Sequence, residues 1–292
     1  MQRRVVISGC GIVSSIGNSC GEVLRSLREN TAGVVFVPEW DDLGFRSCVA
    51  GTIKAMDIQE MWEKIGPKSR YLDLSALYAT FSAHEAVSDS GLRPTDLSSE
   101  NVGCIVGSGI SNTTPIFQAG AKLFFNDGKI TPYEVARVMS STCSANLVNY
   151  YGIKGRSYSM SSACATSLHN VGHGYELIRN GICDIVLAGG AEEVSPIITS
   201  LFDRMRTAIS TSFNDTPEKA SRPYDRKRDG FVVSGGGIVV LEELQHAKKR
   251  NAIVQGEILG YGASSDGHDI IQPQPRGEGA VRCIKEALRT AD

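Results

Sequence analysis

An α/β fold with central sheets covered by helices is predicted for this 292-residue chain. Three observations carry that prediction. Short apolar, β-branched runs bounded by glycine recur along the sequence, as strands buried on both faces do. Stretches with helical periodicity lie between them, the alternation that a helix-covered sheet produces. A small-residue segment, Ser-Ser-Ala-Cys-Ala-Thr-Ser at 161–167, also sits where a strand-like run passes into a helical one.

Residues 5–8 open the chain as a strand, and Gly9-Cys10-Gly11-Ile12-Val13-Ser14 follows. That segment imitates a dinucleotide-binding fingerprint, but Ser14 replaces the third glycine and no acidic residue closes a βαβ unit. A tight turn needing glycine is the better reading. A helix is predicted over 70–90 and a strand over 102–106, ended by Gly107-Ser108-Gly109. Residues 157–160 read as a strand leading into a helix over 165–179, with Leu168, Val171, Tyr175 and Ile178 on one face. A strand at 185–188 ends at Gly189-Gly190, and a helix is predicted over 194–206. Adjacent Glu192 and Glu193 point apart, which argues against shared acid–base work. Gly235-Gly236-Gly237 lies inside a strand-like run extending to 241, where glycine implies a close backbone approach beside a reacting centre. A strand at 253–259 and a helix over 279–288 complete the pattern.

Composition bounds the function classes. With 41% hydrophobic and 21% charged residues the chain is ordinary globular protein, and its formal charge of −2 offers no basic field for nucleic acid. No apolar run approaches membrane-spanning length. The eight cysteines are scattered without CxxC pairs, and the chain reads straight into a strand without a charged-then-apolar leader. A reduced cytoplasmic setting is therefore expected. Metal sites are not expected: His169 and His173 are four apart, but no Asp, Glu or Cys ligand supports them.

Cys164 has two readings on local chemistry. At a strand-to-helix turn, unpaired N–H groups and the positive helix end favour a thiolate, and small neighbours admit a substrate carbonyl. Free cysteine is also among the most buried and inert residue types.

Assembled, these residues resemble the β-ketoacyl-[acyl-carrier-protein] synthases, condensing enzymes of fatty acid synthesis. The matching segments are 6–17 (VISGCGIVSSIG), 161–167 (SSACATS), 187–193 (LAGGAEE) and 220–232 (ASRPYDRKRDGFV). Gly-Glu-Gly-Ala-Val-Arg-Cys at 277–283 looks most like the type I branch. The resemblance implies a thiolase-like layered αβαβα fold and makes Cys164 the acyl-accepting nucleophile. Its backbone N–H would be one oxyanion donor. It implies that Ile110, Met139 and Phe202 shape an acyl tunnel and that Phe231 gates the pocket. Ile110 departs from type I, which tends to carry glycine there, and looks like the type II branch; a branched side chain narrows the tunnel. Lys68, Arg70 and Arg206, with Arg204 a weaker candidate, would face an acidic acyl carrier protein. The family is homodimeric. No cofactor is implied, because substrates ride on the carrier's phosphopantetheine.

The resemblance also implies a division. Residues 1–244 read as a complete N-terminal half carrying the nucleophile, and 252–292 as the start of a C-terminal half. The family's two catalytic histidines, one in a His-Gly-Thr context, have no counterpart among the five histidines here. This chain alone is accordingly expected to lose malonyl decarboxylation, to keep acylation of Cys164, and to need a partner over an open apolar face. A complementing, chain-length-factor-like subunit is the alternative reading, and a cysteine hydrolase sharing the elbow is a third.

Overall fold

The computed structural model describes residues 2–125, 128–205, 209–230 and 235–291. Its strands are β1 (Val5–Val13), β2 (Val35–Phe36), β3 (Val49–Ala50), β4 (Val102–Gly107), β5 (Ser157–Tyr158), β6 (Ile185–Ala191), β7 (Gly236–Glu243) and β8 (Gly256–Ile258). The helices begin with α1 (Cys20–Arg28), α2 (Pro38–Asp42), α3 (Ala55–Ile65), α4 (Leu74–Asp89), α5 (Thr114–Phe124) and α6 (Glu134–Val138). They continue with α7 (Thr142–Tyr151), α8 (Thr166–Arg179), α9 (Pro196–Arg204), α10 (Leu244–Lys249) and α11 (Glu278–Ala291).

Among the described residues, six strands form one sheet in the order β5-β4-β6-β7-β1-β8, and β2 pairs with β3 separately. β5, β4 and β6 run parallel; β7, β1 and β8 join antiparallel. Every residue of β4 and β6 is buried, which is why their sequences are continuously apolar rather than alternating. α4 and α7 cover one face, packing Leu77, Ala83 and Leu147 against Val106, Leu187 and Val240. α8 covers the other with Tyr175 and Ile178 against Ile105, Val186 and Leu241. The predicted face of this helix is only partly right: Leu168 points to solvent.

The glycines near the N-terminus are not a turn. β1 runs unbroken through Gly9 and Gly11, because α4 lies directly on it. A Cβ on Gly9 would stand 2.1 Å from the Ala86 carbonyl oxygen, and one on Gly11 only 1.9 Å from that of Ser82. α4 makes this approach with Ser82 and Ala86, and Ser90 follows at its end, none long enough to hold it away. The helix starts at Leu74 rather than 70, where Asp73 accepts the Leu74 N–H at 2.7 Å; the preceding Gly66–Tyr71 is a 3₁₀ turn. Gly189 and Gly190 likewise lie inside β6, since a Cβ on Gly189 would meet the Gly237 carbonyl on the neighbouring strand at 2.2 Å.

The 253–259 strand shortens to β8, which pairs only with Val5, Val6 and Ile7 at the sheet edge. From there the chain crosses α8, where the Tyr261 ring fills the space over Gly172. It then folds against α11, whose backbone comes so close to Gly260 and Gly262 that a Cβ on either would meet a carbonyl oxygen at 2.2 Å. Ile253, Leu259, Ile270, Ile284 and Leu288 remain exposed.

Candidate functional site

The loops leaving the carboxyl ends of the three parallel strands converge, as ligand sites in open α/β sheets do. Gly107–Ile110 follows β4, Ser161–Cys164 follows β5 and Glu192–Glu193 follows β6. The end of β1 and the start of β7, both antiparallel neighbours, close the same corner.

Cys164 is exposed on this corner, two residues before α8. The preceding Ala163 has φ +48°, a left-handed conformation that costs a non-glycine residue about 1–3 kcal/mol. Thr166 holds the bend: its Oγ1 donates to the Ala163 carbonyl at 2.7 Å and accepts the Ser162 N–H at 2.9 Å. The sulfur looks onto a cavity of about 560 Å³ lined by Val13, Ile110, Glu192, Ile198, Phe202 and Gly235–Gly237, among others. The glycine triplet thus borders the cavity that the thiol faces. Gly235 takes φ +67°, and a Cβ there would sit 2.0 Å from the Val13 carbonyl.

Several other thiols are held back from nucleophilic work. Cys104 and Cys143 are fully buried, and burial pushes Cys143 up to about 12. Cys20 is exposed, yet partial burial and the Glu85 carboxylate raise it to about 11. Cys10 is raised by burial and by Asp89.

Of the residues singled out from sequence, Cys164, Ile110 and Phe202 meet at this cavity. Met139 does not line it. It borders a separate cavity of about 320 Å³ with Lys68, Arg70 and Asn149, and touches the Ile110 loop only by accepting the Ser111 hydroxyl at its carbonyl, 3.3 Å away. Lys68 caps α7, donating to the carbonyls of Asn149 and Tyr150 at 2.6 and 3.2 Å. The Arg70 guanidinium lies over the rings of Tyr71 and Tyr133. Arg204 is exposed at the end of α9, while Phe231 and Arg206 lie outside the described residues. A further cavity, about 640 Å³ and lined by Arg25, Lys54, Lys64 and several carboxylates, contains none of the predicted residues. No His/Cys/Asp/Glu group suited to a metal occurs among the described residues. His173 instead bridges the Tyr158 hydroxyl and Glu176, at 2.5 and 3.3 Å.

The glutamate pair plays a part that the sequence did not reveal. The two carboxylates do point apart, and each ties down a different part of the loop after β4. Glu192 accepts the Ser108 hydroxyl and the Gly109 N–H at 2.7 and 2.8 Å. Buried Glu193 accepts the Thr113 N–H at 2.6 Å. Burial raises Glu192 above the ordinary carboxylate range against these hydrogen bonds.

A thiol on a strained strand-to-helix bend, facing a largely apolar cavity at the carboxyl end of a parallel sheet, defines an α/β protein with a candidate cysteine nucleophile. The comparisons narrow this. Residues 2–247 match the profile "Beta-ketoacyl synthase, N-terminal domain", and the chain belongs to the β-ketoacyl synthase family. It is 47% identical to 3-oxoacyl-[acyl-carrier-protein] synthase 1 of Haemophilus influenzae over 99% of its own length and 71% of the relative's. The crystal structure of a β-ketoacyl synthase from Burkholderia phymatum STM815 matches it with a TM-score of 0.90 and 33% identity, covering all of this chain and 71% of that one. A ketosynthase complex, "AntDE:AntF (apo): type II PKS acyl-carrier protein in complex with its ketosynthase bound to the hexaketide", matches with TM-score 0.86 and 26% identity, over 100% and 70% of the two chains. The fold is therefore that of the ketosynthases.

Proposed function

We propose that this chain is a β-ketoacyl-[acyl-carrier-protein] synthase of fatty acid biosynthesis, grouped with relatives named synthase 1, in which Cys164 accepts the acyl chain. One observation carries the reading: the exposed Cys164 sits on a strained bend over the 560 Å³ cavity, while the one other exposed thiol, Cys20, is held protonated. In acylation the Cys164 sulfur attacks the carrier thioester carbonyl. A new S–C bond forms as the bond to the carrier's phosphopantetheine sulfur breaks, and the Cys164 proton leaves with that thiol. The Cys164 N–H is one donor for the tetrahedral oxyanion, and Ile110 and Phe202 bound the chain's path. Malonyl-carrier protein then loses carbon dioxide; its carbanion attacks the Cys164 thioester carbonyl, the new C–C bond forms as the bond to the Cys164 sulfur breaks, and the Cys164 thiolate leaves and regains a proton.

Lys68 and Arg70, with Arg206, are the proposed docking residues for acidic carrier protein, in line with the carrier complex of the related ketosynthase. Homodimerisation is supported by exposed Ile116, Phe117, Leu123 and Phe124 on α5 and by the edge strand β5. No described helix is long and apolar enough to cross a membrane, and a cytoplasmic setting is part of the same reading. So is a nucleophile half over 1–244 and a second unit from 252; the family match ends close by, at 247. No histidine lines the cavity among the described residues, so decarboxylation is assigned to no residue of this chain. The second reading is a complementing partner subunit.

Acyl-carrier protein labelled in its acyl group separates the two. Label is expected on Cys164 as a hydroxylamine-labile thioester, and Cys164→Ala is expected to lower transfer by at least about a thousandfold with the fold retained. A folded wild-type chain that binds carrier protein without taking label would make it the partner subunit.

A further inference from the structure

We infer that Glu192 is a positioning residue that sets the width of the acyl path by clamping the Ser108–Ile110 loop against the cysteine bend; this rests on the reading of Cys164 as acyl acceptor. Besides Glu192, the loop is held by the Ser111 N–H donating to the Ser108 hydroxyl at 2.8 Å and by the Ser161 hydroxyl on the Gly109 carbonyl. Gly107 and Gly109 have no side chains, and Ile110 is 44% exposed. Two donors converge on the Glu192 carboxylate, the Ser108 hydroxyl at 2.7 Å and the Gly109 N–H at 2.8 Å, and the neighbouring Ile110 N–H favours its ionised form.

Gly109 is the point where the two loops touch. Its N–H is held by Glu192, and its carbonyl accepts the Ser161 hydroxyl at 3.0 Å. A Cβ there would lie 2.9 Å from the Glu192 carboxylate and 3.1 Å from the carbonyl of Ala163, the strained residue next to Cys164. Glu192 is itself fixed from behind, its N–H donating to the Gly235 carbonyl at 2.9 Å. Through its carboxylate and its backbone N–H together, Glu192 therefore links the ends of β4 and β6 and the glycine segment before β7, and decides where the Ile110 side chain stands over the cavity. The Gly109 N–H is occupied by Glu192 and so is not an oxyanion donor.

The role requires an acceptor, not a charge or a transferable proton. A glutamine can keep its oxygen on the Gly109 N–H and turn its NH₂ to the Ser108 oxygen. An alanine leaves that N–H unpaired, and the loop moves to satisfy it.

The test alkylates the chain with iodoacetamide and with N-dodecyl iodoacetamide, and follows the rate at Cys164 by peptide mapping. In Glu192→Ala the ratio of long-chain to short-chain rates should rise about tenfold, the change expected for losing hydrogen bonds to a charged group. Glu192→Gln should keep the wild-type ratio. In the Glu192→Ala, Ile110→Ala double variant the two effects should not add, because both act through one side chain. If Glu192→Ala does not fold, Ser108→Ala, which removes one donor, should move the ratio in the same direction by a smaller factor. An unchanged ratio in the folded variants, or a glutamine variant that behaves like alanine, would overturn the inference. Failure of both reagents to label Cys164 in the wild-type chain would instead overturn the acceptor reading beneath it.

Discussion

The central sheet and the 252–291 segment both carry apolar residues at regular spacing, yet the fold treats them oppositely. All seven residues of β6 are buried, whereas α11 buries only Gly279 among its described residues. The sheet is covered on both faces because glycine and other small residues let α4 and α8 lie directly on it. The later segment meets the rest along one line, through β8, Tyr261 and Thr290, and its other side faces solvent. Apolar periodicity thus marks what is available for burial; the number of covered faces decides how much stability it yields.

Breaking the sheet side should cost most. Gly11→Val places side-chain atoms inside the Ser82 carbonyl and is expected to lower stability by more than about 3 kcal/mol, read from the urea midpoint. A merely local turn glycine would not respond so strongly. The junction between the two regions comes next. Fully buried Glu242 on β7 is gripped by Arg250 through two 2.7 Å hydrogen bonds and by His246 at 2.6 Å. Burial opposes its ionisation, but these partners outweigh it and hold the carboxyl below the usual glutamate range. Arg250→Ala is expected to cost about 2 kcal/mol at neutral pH. Because the folded value is depressed, the pair's contribution is present above the ordinary glutamate range and lost as pH falls through the folded value. Wild-type and variant stabilities should therefore converge in acid; a gap that stays constant with pH would assign the cost to lost packing.

The smallest effect should fall on the 252–291 side. Gly172→Ala puts a Cβ 2.1 Å from the Tyr261 ring, a partly buried side chain that must shift to admit it. Amide exchange in β8 and α11 should quicken about tenfold while β4 and β6 are unchanged. Uniform acceleration would show that the two regions unfold as one.

Much of the site was legible along the chain. The bend at Cys164 follows from small residues between a strand-like and a helical run, and the glycines at 235–237 announced a close approach. The strands of the main sheet and helices α4, α8, α9 and α11 were equally readable, because period and turn residues are local properties, whereas β2, β3 and the sheet-covering α7 drew no expectation. The glycines of β1 were not. Gly9 and Gly11 resemble turn formers until α4, some 70 residues away, is seen to occupy the space their side chains would fill. Glu192 was hidden for the same reason: nothing beside it in sequence shows that a loop 80 residues earlier would close on its carboxylate. By itself the sequence determined the fold class, the buried strands and the cysteine bend, since each depends on neighbours within a few residues. Which loops meet at that bend, and which groups hold them, was decided only by the tertiary structure, because contacts between strand ends depend on sheet order, and sheet order is not written in any local pattern.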